Sequence, residues 1–312
     1  MRTPDHLLVK QKCREAIPRI LKEFGFDPSS DIIMDDQGWV NPCFFIGREA
    51  IVRFNARDQH IPKFQREKIV YDRLRTLNFP VPAEVRLDTS KTISPYDILI
   101  ASRLNGSNLE QHWKLLESSA KSTLAFQAGQ WLRKIHDVNI DTFGEISAFG
   151  PFPSTVTWPE YLKARLEYHL SEARELDIFS AELEMRFEAA FEKIIPLLEQ
   201  TKRSRLIHGD FHLGNLLFEK HQITGILDFE WSCAGDPLFD LCKLRDMDAS
   251  WTGSQESFNR GYGVSVFDDS EFKKMRIYTM IQNIELCVVA KKYFPAKELR
   301  SYVSATAKGF QT

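Results

Sequence analysis

Long apolar runs are missing from these 312 residues. No stretch reaches the length a bilayer core demands, so neither a transmembrane helix nor a membrane partner is expected. The opening MRTPDHLLVKQKCRE lacks the apolar centre of a signal peptide, and the expected location is cytoplasmic. A basic surplus is missing too. Lys and Arg total 41 against 43 Asp and Glu, a net charge of -2, where a nucleic-acid partner would call for a basic stripe. Paired cysteines are absent: Cys13, Cys43, Cys233, Cys242 and Cys287 are odd in number, scattered, and never form C-x-x-C. They read as thiols of a reducing compartment, neither zinc ligands nor disulfides. No internal repeat is visible. What is present is 43% hydrophobic residues, 27% charged residues and 23 phenylalanines, enough for one large globular domain or two lobes with a filled core. The expected state is a monomer or weak dimer.

Periodicity divides the chain. Cys13, Ile17, Ile20, Leu21 and Phe24 share one helical face, with Gly25 as a C-terminal cap and Pro18 as an internal irregularity. Short β-rich runs, CFFI and AIVRF, flank Gly47-Arg48-Glu49 as a hairpin, after a turn at Gly38-Trp39-Val40-Asn41. A helix over 62–77 aligns Glu67 with Val70, Tyr71, Leu74 and Leu77. A carboxylate on an apolar stripe needs a cation, and Arg53 in the preceding apolar strand needs an anion. An Arg53–Glu67 pair answers both; the other reading leaves Glu67 at the stripe's edge, in water. Strands are expected at 84–87 and 97–101. Ser107-x-x-Glu110 and Thr157-x-x-Glu160 fit capping boxes, and Ser180 starts a further helix. The sequence thus predicts an α+β chain: a small antiparallel-sheet lobe over 1–103 and a larger, mainly helical lobe over 104–312.

The chemistry concentrates in 206–241, LIHGDFHLGNLLFEKHQITGILDFEWSCAGDPLFDL. Carboxylates interleaved with Leu, Ile and Phe are costly to bury without a task or a partner. Asp210 follows one strand, Asn215 precedes a second, and Asp228 ends a third. Short loops bring two carboxylates and an amide oxygen to one mouth, a set of hard oxygen ligands suited to Mg2+. One carboxylate left free of metal, beside a hydroxyl, can accept its proton as it attacks phosphorus.

His208-Gly209-Asp210-x-x-x-x-Asn215 resembles the catalytic loop of the aminoglycoside phosphotransferase family, the counterpart of the protein-kinase H-R-D-x-x-x-x-N loop. Asp228-Phe229-Glu230 resembles that family's metal-binding D-x-D/E. Gly235-Asp236-Pro237 with Asp240-Leu241, and Leu132-x-x-Ile135-His136 at a helix end, match in order. The resemblance implies a protein-kinase-like, two-lobed fold and a phosphotransferase acting on a hydroxyl of a small molecule with ATP or GTP and Mg2+. Asp210 would be the catalytic base or the group that orients the hydroxyl. Asn215 and Asp228 would hold the metal. Glu230 would add a metal contact through water or else face solvent. Arg53 and Glu67 take the places of the nucleotide-phosphate cation and its helix partner, with Gly38, Asn41, Ser102 and Leu104 as further nucleotide contacts. Arg53 departs from the lysine of protein kinases, and the Gly38 turn lacks their repeated glycines. His208 and His136 would support the loop and His212 would be passive. Asp236 and Asp240 would cap a helix and tie the loop to the core.

The acceptor is less legible. A polyamine antibiotic of the aminoglycoside type calls for acids, and Asp246, Asp248, Glu256, Asp268, Asp269, Glu271 and Glu285 are available. Glu285 stands out inside an apolar helical run. Trp158, Tyr161, Tyr168 and Trp251 can line a sugar face or belong to the core. An aminoglycoside-type or related antibiotic, as in antibiotic resistance, is the expected acceptor, and a cellular alcohol of the choline, homoserine, thio-sugar or ketosamine type is the alternative. Two rivals come from other classes. A protein kinase is disfavoured because no A-P-E segment follows and 228–240 leaves no room for an activation loop. A non-catalytic nucleotide-binding protein is the other.

Overall fold

The computed structural model describes residues 4–35, 41–57, 59–146, 154–155, 157–246, 254–264, 267–294 and 296–308. In chain order it begins with α1 (Pro4–Phe24), β1 (Ile32–Met34), β2 (Cys43–Ile46), β3 (Ala50–Asn55), α2 (Lys63–Thr76), β4 (Val85–Asp88) and β5 (Asp97–Ser102). It continues through β6 (Ser107–Asn108), α3 (Leu109–Trp113), α4 (Ser118–His136), β7 (Asn139–Ile140), α5 (Trp158–Glu175) and α6 (Ala181–Leu198). Then come β8 (Ser204–Ile207), a 3-10 turn (Leu213–Asn215), β9 (Leu216–Glu219), β10 (Gln222–Ile226) and β11 (Cys233–Gly235). It ends with α7 (Leu238–Asp246), α8 (Gln255–Tyr262), α9 (Asp269–Tyr293) and α10 (Ala296–Lys308). The chain divides into two units: one within Met1–Leu115 and Leu213–Trp231, the other within Leu116–Ala148, Phe152–His212 and Ser232–Thr312.

The first unit holds a five-stranded antiparallel sheet in the order β1-β2-β3-β5-β4. Alternation decides its two faces. Phe44, Ile46, Val52, Phe54, Ile98 and Ile100 are buried together with Cys13, Ile17, Ile20 and Leu21 of α1, which runs through Pro18 as one helix. Arg53, one step out of phase with Val52 and Phe54, leaves the opposite face, where α2 supplies its partner. A smaller sheet, β10-β9-β6, completes this unit. Its hairpin turns at Lys220 and His221, both left-handed with φ of 47° and 61°. Two such residues in a two-residue loop match the right-handed twist of the strands they join.

The second unit is mainly helical, with a three-stranded sheet β11-β8-β7. The Thr157/Glu160 capping box starts α5, and Ser180 caps α6 through the Leu183 N–H. The box expected at Ser107 is not the one used. Ser107 and Asn108 pair with β9, and the Asn108 side chain accepts from the Glu110 and Gln111 N–H groups, so the cap lies one residue later. Helix α8 was not foreseen. It crosses α4 at glycines: a Cβ on Gly129 would come within 2.2 Å of the Phe258 carbonyl oxygen, and one on Gly261 within 2.0 Å of that of Phe126. Among the described residues, no helix is long and apolar enough to cross a membrane.

Candidate active site

Arg53 organises the site of the first unit. One guanidinium nitrogen donates to both carboxylate oxygens of Glu67 at 2.7 Å. The other donates to Asp228 at 3.1 Å and to Glu230 at 2.9 Å. Glu67 is 0% exposed, so the ion pair holds and the water-facing reading of this residue fails. Its helix brings two more cations to the same acids. Lys63 Nζ lies 3.7 Å from Glu230 and over the Trp231 ring, and Arg66 donates to the Glu230 carbonyl at 2.8 Å. The Tyr71 hydroxyl accepts the Asp228 N–H at 3.0 Å and is hydrogen-bonded to Glu67. Burial pushes the Glu67 carboxyl above its ordinary range, with Asp228 and Glu230 adding to the push and Arg53 opposing it. Glu230 is displaced upward likewise, by burial first and then by Asp228.

The hairpin sets where the metal candidates stand. Leu216 pairs with Ile226, and the Leu227 N–H donates to the Asn215 carbonyl at 2.9 Å. Asn215 and Asp228 therefore flank the same end of the β9–β10 hairpin. Asp228 does not end the strand, as its apolar neighbours implied. It lies two residues beyond Ile226 in a left-handed turn with φ of 65°. A left-handed aspartate is uncommon and tolerated where the surroundings fix it. Here Tyr71 and Arg53 do so. Glu67, Asp228 and Glu230 each offer an oxygen within 4.8 Å of the others. These are hard donors that fit a cation of the Mg2+ type. Asp228 is the most open of the three, at 32% side-chain exposure against 0% and 7%.

The second unit presents Asp210. The loop after β8 is held from α7 by Asp240. One Asp240 oxygen accepts the His208 N–H at 2.8 Å and lies 3.0 Å from His136 Nε2; the other accepts the Gly209 N–H at 2.8 Å. Burial disfavours this charge, yet His136 and then His208, through its ring and its backbone amide, hold the Asp240 carboxyl below its usual range. On its other side, His136 Nδ1 is hydrogen-bonded to the Tyr262 hydroxyl at 2.7 Å. His208 Nδ1 accepts the Asp210 N–H at 3.2 Å. The Asp210 side chain stays 34% exposed, 3.3 Å from Lys243 Nζ and 3.5 Å from His212 Nε2. Burial raises its carboxyl, but Lys243, His212 and His208 outweigh that and keep it well below the usual carboxylate range. Asp236 caps α7 through the Leu238 N–H and accepts from Thr201, Lys274 and Tyr278.

The sequence pattern of the phosphotransferase enzyme family matches residues 33–278. The chain belongs to that family. Among curated proteins, it is 26% identical over 229 residues to acyl-CoA dehydrogenase family member 10 of Mus musculus, covering 68% of this chain and 20% of that protein. It is 24% identical over 275 residues to family member 11 of Rattus norvegicus, covering 83% and 33%. The chain thus spans only a fifth to a third of the curated relatives it matches. Among solved structures, aminoglycoside phosphotransferase APH(4)-Ia is similar with a TM-score of 0.71 at 16% identity, covering 96% of this chain and 100% of that one. The streptomycin–ATP complex of APH(2")-IIa gives 0.66 at 16% identity, covering 95% and 97%. The α+β, protein-kinase-like fold of these structures is therefore the fold of this chain.

The residues expected to act together fall out as follows. Arg53, Glu67, Asp228 and Glu230 meet in the first unit, with Asn215 at the same hairpin end; Asp210 stands in the second. Glu230 is only 5% exposed, so it is not a solvent-facing residue; Arg53 and Lys63 claim its carboxylate. The Asn41 side chain accepts the Ala56 and Arg57 N–H groups, and the Ser102 hydroxyl accepts the Glu84 N–H. Leu104 is half-buried against Gly225. Gly38, Asp248 and Trp251, and the Asp246 side chain, lie outside the described residues. Trp158 and Tyr161 are buried in the core beside Tyr278 and Phe239 and line no sugar face. Lys63, Arg66, Tyr71 and Lys243 were missed. Lys63 and Tyr71 share the stripe of Glu67 at helical spacing, a signal open to reading; Arg66 and Lys243 gave none.

Proposed function

We propose that this chain transfers the terminal phosphoryl group of ATP or GTP, with Mg2+, to a hydroxyl of a small molecule. The observation that carries the reading is Asp210: an ionised, open carboxylate on a loop whose preceding amides are both fixed by Asp240. The hydroxyl oxygen forms the new bond to phosphorus, the bond to the nucleoside-diphosphate oxygen breaks, and the hydroxyl proton leaves. Asp210, held well below the usual range, is a weak base. Its part is to orient the hydroxyl and to receive the proton late, which suits the loose transition state of phosphoryl transfer. Asn215 and Asp228 would hold Mg2+, with Glu230 behind them, and the ion would neutralise charge on the phosphate oxygens. Arg53, kept in place by Glu67, is the phosphate-facing cation. Asn41, Ser102 and Leu104, with Gly38, stay on the nucleotide side of the reading. The nucleotide belongs to the first unit and the acceptor to the second.

Two acceptor classes remain: an aminoglycoside-type antibiotic and a cellular alcohol. The acids that would greet a polycation favour the second. Glu285 is bound to Arg165 at 2.6 Å and held down to about 2, with burial opposing its charge and Arg165, His169 and Lys243 favouring it. Asp268 and Glu271 are consumed by the capping box of α9. Complexes among the similar APH structures contain hygromycin B or streptomycin, by contrast, whereas the matched curated relatives bear the name of acyl-CoA dehydrogenases. We place the enzyme in the cytosol as a monomer or weak dimer, consistent with five free cysteines. The test is a transfer screen with ATP or GTP and Mg2+ against aminoglycosides and small cellular alcohols. Turnover that Asp210→Ala abolishes while nucleotide binding persists supports the reading. Tight nucleotide binding without transfer to any acceptor replaces it with a non-catalytic binder.

A further inference from the structure

Helix α7 meets the catalytic loop with two residues three positions apart, which share a helix face. Asp240 takes the two backbone donors, the N–H groups of His208 and Gly209. Lys243 takes the acceptors: its Nζ donates to the Gly209 carbonyl at 2.7 Å and to Asp210 Oδ1 at 3.3 Å. The helix therefore grips three consecutive loop residues through both polarities. A lysine serving the carbonyl alone would be structural. The second contact, to the carboxylate itself, goes further, because it fixes which way that carboxylate faces.

We propose that Lys243 is a positioning residue for phosphoryl transfer: with its ammonium bridging the Gly209 carbonyl and the Asp210 carboxylate, it aims Asp210 at the acceptor hydroxyl. This rests on reading Asp210 as the acceptor-side carboxylate. The charged neighbours agree. Asp210 faces Lys243 from α7 and His212 and His208 from its own loop; Lys243 faces Asp210, Asp240 and, from α9, Glu285. Burial disfavours the ammonium, but those three carboxylates keep Lys243 above its ordinary range and so charged. Glu285, the conspicuous acid of an apolar helix, thereby gains a role. It is bound to Arg165 and supports the Lys243 charge.

The test compares Lys243→Met, Lys243→Gln and Lys243→Arg in the full chain, using the acceptor found in the screen. In Lys243→Met, kcat should fall on the order of a hundredfold while the nucleotide KM stays unchanged, the mark of misplaced geometry. Lys243→Arg should recover most of it, because the charge and donors remain. Lys243→Gln keeps a donor for the Gly209 carbonyl without the charge, and it decides the matter should Lys243→Met fail to fold. It should lose kcat like the methionine variant. Carbon-13 carboxyl NMR, with Asp210→Asn to assign the signal, supplies a readout free of turnover. The Asp210 titration midpoint should rise toward the ordinary aspartate range in Lys243→Gln and return in Lys243→Arg. A normal kcat and an unmoved midpoint in Lys243→Gln would overturn the proposal. If the unaltered protein transfers phosphate to nothing, the phosphotransferase reading fails, while the titration still decides whether Lys243 controls Asp210.

Discussion

The two charged centres of this protein solve opposite problems. Around Asp240, each carboxylate oxygen has its own donors, and the acid sits below its ordinary range. Around Arg53, three carboxylates share one guanidinium, and Glu67 and Glu230 are pushed upward. The first arrangement is closed and keeps a loop in one shape. In the second, three carboxylates converge with an oxygen of each within 4.8 Å of the others, a set of hard donors around one guanidinium. A buried polar network that is fully paired rigidifies its surroundings.

The sharpest way to break this contrast is Asp240→Ala. Two loop amides and His136 Nε2 would lose their acceptor, and about 3–5 kcal/mol of stability should go with it, together with transfer activity. Urea unfolding measures the first and the phosphate assay the second; a loss under about 1 kcal/mol would show that the loop is held elsewhere. Next comes Glu67→Ala. Arg53 keeps Asp228 and Glu230, so the stability cost should be smaller, on the order of 1–3 kcal/mol. Apparent Mg2+ affinity should weaken by about tenfold or more as the freed guanidinium settles on Asp228. An unchanged Mg2+ titration of activity would remove Arg53 from the metal's surroundings.

Acid should separate the centres further. Glu67 is raised in the folded protein, so lowering the pH from neutrality toward the ordinary glutamate value of about 4.3 lets the folded state take up the proton first, and stability gains slightly. Asp240 is depressed. Its contribution is complete above the ordinary aspartate value of about 3.9 and is lost as the pH falls through its folded value. Unfolding free energy against pH should therefore show both limbs, and Glu67→Gln should shrink the upper one, to which Glu230 also contributes, and leave the lower unchanged. The smallest effect is expected at the hairpin. Replacing Lys220-His221 with Asn-Gly removes the cost of two left-handed non-glycine residues and should raise stability by roughly 1 kcal/mol, visible as a higher Tm.

Most of the Asp240 centre could be read from the sequence. The Asp236-Pro237 pair announced a helix start, and the acids of a short motif pointed to a scaffold for the loop. The Arg53 centre was legible where two residues shared one problem: Arg53 and Glu67 were each misplaced in an apolar pattern, and each supplied the other's remedy. Legibility failed wherever a contact joined distant segments without marking the local pattern. Lys243 follows Asp210 by 33 residues on a short helix with nothing to single it out. Glu285 looked like an acceptor ligand because its Arg165 partner lies 120 residues away. Helix α8 and its glycine crossing with α4 were invisible for the same reason, since neither glycine shows which backbone it will touch.

The discontinuous first unit also bears on how the chain acquires its structure. Its five-stranded sheet is complete at Ser102, but Leu213–Trp231, which carries Asp228 and Glu230, comes after nearly all of Leu116–His212. During synthesis, Arg53, Lys63 and Arg66 emerge with Glu67 alone among the acids of their cluster. They must wait for two more carboxylates while roughly a hundred residues of another unit are made, at a pace of some seconds. No single cut therefore yields two self-sufficient halves. A fragment ending near residue 115 would keep its apolar core and lack the anions that settle its cations.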